Sequence, residues 1–273
     1  EKLKWNILEN LLKNHLLFCF IILTHSVFSQ TYLIEQANKL YDNKKYSSAQ
    51  ALYGQIIIDI GDCEEAEYYY AKCSKELFQL NSENLYLDFL NKYPIGPFSN
   101  KAKEDLGLIY FREKSYLEAI EFIKNVDDLF SHNYLVFKLA YANFCIDSLE
   151  EASYYFSKLM NVKSKYASSS RYYFSYIAYK NHLYETALTN FTLLIEDDKF
   201  GKIVPYYIAQ IYYIQKKYKL LISYLEPMIN DIIPSRESEI FKLLAESHFQ
   251  IGDFKNSIKY FSLYIDLDIK LSS

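Results

Sequence analysis

A small residue returns every 33 to 36 positions along this chain: Ala37, Ala71, Gly107, Ala140, Ser175, Ala209 and Ala245. Twelve residues after each comes a second recurring place, held by Ala49, Glu83, Ala119, Ala152, Ala187, Leu221 and Ser257. Three residues before that place stands a large apolar side chain every time: Tyr46, Leu80, Tyr116, Leu149, Tyr184, Tyr218 and Phe254. Four after it stand Tyr53, Leu87, Ile123, Phe156, Phe191, Leu225 and Phe261. A repeat of this length marks a stacked array in which each unit buries its apolar face against its neighbours. Within one period the apolar residues follow a 3.6-residue spacing in two runs, so the unit is a pair of short helices. Gly107 lies inside the first run, where glycine costs roughly 1 kcal/mol against alanine. Its presence there predicts that a second helix, the one carrying Ala119, crosses close by.

Leu106-Gly107-Leu108-Ile109-Tyr110 followed by Tyr116-Leu117-Glu118-Ala119 and Ile123 resembles the tetratricopeptide repeat (TPR), with its Leu-Gly-x-x-Tyr and Ala-x-x-x-Phe pattern. The resemblance covers about 30–268 and implies an all-α, right-handed TPR superhelix, an α-solenoid of about seven helix-turn-helix repeats. They fall near 31–60, 63–93, 98–126, 133–162, 165–196, 202–230 and 236–268 of an array taken as 30–273. Repeat one reads as helices over Thr31–Asn43 and Tyr46–Ile60. Repeat two is the most degenerate: Glu83 stands where alanine is expected, Ser82 is the expected cap of its second helix, and Pro94 its stop. The segment Tyr93–Ala102 resembles a junction in TPR proteins of the bacterial envelope. Pro205 is expected to open the first helix of repeat six, and Pro227 to kink or shorten the second. No polar cap is visible after Asp268, so a longer parent array is expected.

Residues 1–29 carry Lys2, Lys4 and Lys13, an unbroken apolar run over Leu16–Leu23, and then Val27-Phe28-Ser29. A positive flank, a short apolar run and a small-residue exit read as a secretory signal peptide cleaved before Gln30; a helix packed on the first repeat is the alternative. The run is too short to span a bilayer, which takes about 20 residues. The Ser-Gln junction resembles that of Bacteroidota signals, and the chain resembles exported envelope TPR proteins of that group, which implies a periplasmic or outer-membrane-associated chain. Cys63 and Cys73 share one predicted helix about 15 Å apart along its axis, beyond disulfide reach, so these and Cys145 are expected to be free and mostly buried thiols.

The formal charge of −4 carries no polybasic signature for nucleic acid. There is no phosphate-cradling loop, nucleophile elbow or paired-histidine metal motif. His248 takes a place where the repeat pattern has tyrosine, which points to packing. Acidic pairs at Glu64-Glu65, Asp127-Asp128, Glu150-Glu151 and Asp197-Asp198 fall at helix starts or junctions, where they meet the positive helix end. No catalytic, metal or cofactor site is expected.

The remaining candidate is surface. The TPR resemblance implies that first helices line a groove through fixed positions of each repeat. Those positions hold Phe111, Phe137, Tyr141, Phe144, Tyr172, Tyr176, Tyr179, Tyr206 and Tyr213, a candidate site for a partner protein or peptide. In repeat two the same face carries Lys72, Lys75 and Glu76, so the aromatic patch is local to repeats four to six. Asn38 matches one element of the family's carboxylate clamp, but Ile34 and Tyr69 stand where its lysine and asparagine belong. A non-enzymatic interaction scaffold is the expected function. A carbohydrate-binding TPR-type module of a glycan-uptake system, using the same aromatics, is the alternative. With 29 Tyr and 19 Phe, low-GC codon bias or rings packed into the interior account for the same residues, and the sequence leaves that choice open.

Overall fold

The computed structural model describes residues 31–231 and 236–272; the expected signal peptide and its cleavage site lie outside them. Every regular element among the described residues is helical. The chain divides into two compact units, the first ending at Asp127 and the second beginning at Asp128. The first contains α1 (31–42), α2 (Tyr46–Ile60), α3 (Glu64–Glu76), α4 (Ser82–Lys92), α5 (Ser99–Arg112) and α6 (Tyr116–Lys124). The second contains α7 (Asn133–Cys145), α8 (Leu149–Leu159), α9 (Ala167–Lys180), α10 (Tyr184–Thr192), α11 (Val204–Ile214), α12 (Tyr218–Leu225), α13 (Glu237–Gln250) and α14 (Phe254–Ser272). Repeats one to three thus lie in one unit and four to seven in the other.

The seven small residues are all buried where the two helices of a repeat cross. Gly107 shows why: a Cβ there would stand 2.6 Å from Ile123 Cγ1 and 3.2 Å from the Ile123 backbone nitrogen on α6. Successive repeats join through rings laid face to face. Tyr53 of α2 stacks on Tyr69 of α3 at 5.5 Å, Phe156 of α8 on Tyr173 of α9 at 5.2 Å, and Phe191 of α10 on Tyr207 of α11 at 5.2 Å. Such offset aromatic pairs add to what their area burial already contributes.

The turn within each repeat is equally regular. The seventh residue after the small one is left-handed in every repeat: Lys44, Phe78, Lys114, Asp147, His182, Lys216 and Gly252, with φ between 55° and 81°. Around each, the paired backbone bonds of a Schellman motif close the first helix, as in Lys114 N–H to Phe111 O at 3.2 Å and Ser115 N–H to Tyr110 O at 3.0 Å. Six of these seven positions carry a side chain where glycine would be unstrained. Lys114→Gly and Lys216→Gly, both at exposed turns, are each expected to raise stability by about 0.5–1 kcal/mol. Urea unfolding midpoints check this, and a lower midpoint in either variant would contradict it.

Repeat two departs from its expected register by one residue. Ser82, not Glu83, fills the buried small place, Tyr86 and Phe89 form the inner face, and Leu80 is fully exposed. The connection from Phe78 to α4 takes three residues, 79–81, where the other repeats take one, and the buried small place follows Phe78 by four residues where elsewhere it follows the left-handed residue by five, so the whole helix face slips. Glu83 instead accepts a 2.7 Å hydrogen bond from the Tyr110 hydroxyl. Ser82 is the first helical residue and not a cap; Asn81 precedes it and accepts from the Ser74 hydroxyl at 3.2 Å. Pro227 acts as expected: α12 stops at Leu225 and a 3-10 segment runs over Glu226–Asp231. Of the three cysteines among the described residues, all free, Cys73 is buried, Cys63 half-buried and Cys145 exposed, so Cys145 does not share the burial expected of it.

Candidate partner-binding face

Eight of the nine groove aromatics lie in the second unit, on α7, α9 and α11; Phe111 belongs to the first, its ring edge-on to Tyr116 at 5.8 Å. None of the nine is free of its surroundings: all are half-buried. On α7, Phe137, Tyr141 and Phe144 form a run of ring contacts, and Phe144 meets Tyr176 of α9 at 6.0 Å. Tyr172, Tyr176, Tyr179 and Tyr206 all meet the ring of Tyr207, at 5.3 to 6.3 Å. Tyr179 also donates to the Gln210 side-chain oxygen, and the Gln210 amide donates to the Tyr206 hydroxyl at 2.5 Å. Tyr213 stands further along α11, against Tyr218 at 5.6 Å.

A second rule separates these rings. Phe200 stacks on Tyr172 at 4.5 Å, Tyr166 on Phe137 at 5.0 Å, and the Arg236 guanidinium lies 4.6 Å from the Tyr206 ring centre. Phe98 covers Tyr68 in the same way at 5.0 Å in the first unit. Each covering residue lies nine before the small residue of its repeat, so Phe137, Tyr172 and Tyr206 are closed over by the following junction. The turn that holds Phe200 is fixed by Asp197, whose carboxylate accepts from the N–H groups of Lys199 and Phe200 at 3.0 Å each. Burial pushes the Asp197 carboxyl up, but hydrogen bonds from Ser168, Lys199 and Phe200 outweigh it and leave it below its ordinary value. Phe144, Tyr176, Tyr179 and Tyr213 are half-buried and meet the following repeat through its helices: Phe144 lies 5.1 Å from Tyr173, Tyr176 5.7 Å from Tyr207, and Tyr179 donates to Gln210.

Comparison with solved structures places this arrangement. The chain aligns with a tetratricopeptide repeat protein from Parabacteroides merdae at a TM-score of 0.51 and 13% identity, over 88% of this chain and 93% of that one. The apo form of RapI aligns at 0.56 and 15%, over 88% and 77%. The fold is that of a TPR solenoid. The structure of Naa15/Naa10 bound to HypK-THB aligns at 0.63 and 13% over 87% of this chain, which spans 36% of that one. No family model and no curated protein matches the sequence.

Asn38 and His248, two further residues that the repeat pattern singles out, are engaged within the fold. Asn38 donates to Glu65 at 2.9 Å and accepts from the Tyr53 hydroxyl at 2.5 Å, tying repeat one to repeat two. His248 is buried, stacked on Tyr260 at 5.5 Å, with Asp253 and Glu226 at its two ring nitrogens. Among the described residues no group of three or more His, Cys, Asp or Glu is placed to hold a metal, and no helix is long and apolar enough to cross a membrane.

The sequence reading missed Tyr207, the ring on which four groove tyrosines converge, and the covering residues Tyr166, Phe200 and Arg236. Their fixed spacing from the small residue was the available signal. The buried phenols set a pH response. Burial pushes Tyr173, Tyr213 and Tyr260 up to about 12, with hydrogen-bonded neighbours adding to it, and raises Tyr172 and Tyr68 as well. Unfolded phenols ionise near about 10, so the folded state holds these protons more tightly. The stabilisation is fully present below about pH 10 and is lost as pH rises toward about 12. The melting temperature is expected to fall steeply across that window, in step with tyrosinate absorbance; a flat profile there would contradict the burial of these rings.

Proposed function

We propose that this chain is a non-enzymatic protein–protein interaction scaffold of the bacterial cell envelope, exported by the signal-like segment before Gln30. It holds an extended or helical segment of a partner protein across α7, α9 and α11. The observation that carries this reading is the half-buried aromatics Phe144, Tyr176, Tyr179 and Tyr213, at positions that the TPR resemblance assigns to its groove and without a ring stacked on them from the following junction. Tyrosine supplies large contact area with few rotors, which suits it to interfaces. The TPR neighbours add support at the level of fold; Naa15/Naa10 bound to HypK-THB is by its description a protein assembly.

The test contrasts two kinds of groove ring in protein isolated from its native envelope fraction. Tyr176→Ala/Tyr213→Ala is expected to weaken partner capture by more than tenfold, about 2 kcal/mol, since a few aromatic anchors carry most interface energy. Its melting temperature should fall by only a few degrees. Tyr172→Ala removes a ring stacked on Phe200 and edge-on to Phe191 and Tyr207 and should cost about 3–5 kcal/mol of stability. Equal loss of stability in both, with capture unchanged in whatever stays folded, would assign all these rings to the core. Retention of a glycan with no co-purifying protein would replace the protein partner by a carbohydrate.

A further inference from the structure

Gly54, Ile57 and Ile58 of α2, Tyr70 of α3, and Leu85 and Phe89 of α4 line a cleft of about 380 Å³ in the first unit. It lies between repeats one and two, with both repeats forming its walls, and not at an end of the array. In four other repeats the residue before the small place is packed away: Leu106, Leu139, Ile208 and Leu244 are at most 1% exposed. Here that residue is Tyr70, which stays half-buried as one wall. Gly54 leaves room for its ring, since a Cβ there would stand 3.2 Å from Tyr70 Cε2. The slipped helix α4 adds Leu85 and, at the floor, the buried Phe89. Ile58 stands at the mouth, 79% exposed. The cleft is a local, apolar opening in the packing of the array.

Charge chooses the occupant. Glu67, Asp88 and Lys92 complete the lining. Lys92 is held by Asp62 and Glu67 at 2.7 Å each, whereas Asp88 is exposed and has no ion pair among the described residues. Asp59, Asp62, Glu64, Glu65 and Glu67 are the only Asp, Glu, Lys or Arg from 46 to 71. Helix α2 ends beside the cleft with no basic residue in its last turn, so the negative end of its dipole adds to the same field. Such a rim attracts cations and repels nucleic acid and anionic lipid. The volume is near the lower end for ligand clefts, about 300–1,000 Å³, which suits one large side chain and its neighbours. We propose that the cleft docks a segment of a partner protein that inserts one aromatic or long aliphatic side chain and sets an adjacent lysine or arginine against Asp88. The site is separate from the rings of α7, α9 and α11 and does not depend on them.

Selection from a random-sequence peptide library displayed on phage tests this, with the 273-residue chain and its Ile58→Ser/Asp88→Lys variant as parallel targets. Both substituted side chains are exposed, so the variant should melt with wild type. The expected result is a class of enriched peptides with an aromatic or long aliphatic residue next to lysine or arginine. Synthetic copies should bind the variant at least about tenfold more weakly, since one apolar anchor and its charge partner carry such a contact. Exchanging the flanking base for glutamate should weaken binding to wild type and restore binding to Asp88→Lys. The proposal is overturned if no enriched class loses affinity for the variant. It is overturned equally if the class that does so has no base beside its apolar residue, or if the glutamate exchange leaves binding to wild type unchanged.

Discussion

Gly107→Leu is expected to destabilise the first unit by about 3 kcal/mol or more. A Cβ alone would sit 2.6 Å from Ile123 Cγ1 and 3.2 Å from a backbone nitrogen, so relief requires α6 to move away from α5 and not merely a rotamer change. Overpacking a close-packed site typically costs about 1–3 kcal/mol, and more where the obstacle is backbone. The crossing also positions Ile123 and Ala119, both fully buried, so the disturbance spreads through repeat three. Leu108→Ala, one residue on and half-buried, is the control and should cost about 1 kcal/mol. Urea unfolding of the two variants side by side checks this; equal midpoints would mean that the helices do not cross at Gly107.

Asp105→Ala is expected to cost about 3–5 kcal/mol, although it deletes a buried charge. Asp105 is 6% exposed, and its Oδ2 accepts from the hydroxyls of Tyr68 at 2.9 Å and Tyr86 at 3.1 Å. Its Oδ1 pairs with the Lys75 ammonium. Lys72 in turn donates to the Tyr68 hydroxyl at 3.1 Å. Removing the carboxylate leaves two buried phenol hydroxyls without an acceptor and Lys75 without its counter-ion, and breaking a buried pair from one side is far more damaging than never having built it. Asp105→Asn keeps an acceptor for the tyrosines and should fall between wild type and the alanine variant. An alanine variant as stable as wild type would mean that water satisfies this cluster.

The fold was legible because its cause is local and repeated. A small residue is needed wherever two helices cross, and seven crossings leave seven small residues at one spacing. The same regularity hid the slip in repeat two, where α4 starts later after Phe78 than the other second helices do and turns Ser82, Tyr86 and Phe89 inward. Six of the seven left-handed turns were invisible because lysine, aspartate, histidine or phenylalanine stands where glycine, as at Gly252, would have announced them. Asp105 gave no warning either: a lone acid in a helix looks solvated until Tyr68, Tyr86 and Lys75 converge on it from two other helices. The groove was half legible. Position within the repeat identifies Phe137, Tyr172 and Tyr206 as groove residues, but not that Tyr166, Phe200 and Arg236 close over them, since each cover comes from the following junction.

The central claim, that the groove rings of α7, α9 and α11 hold a partner protein, is tested most directly by site-specific photo-crosslinking. A photoreactive residue is placed at Tyr176 or Tyr213 on that face, and at Lys158 of α8, an exposed position on a second helix, as control. The account predicts that Tyr176 and Tyr213 join to neighbouring stretches of one partner protein, identified by mass spectrometry, while Lys158 does not. Crosslinks formed from Lys158 but absent at Tyr176 and Tyr213 would contradict it.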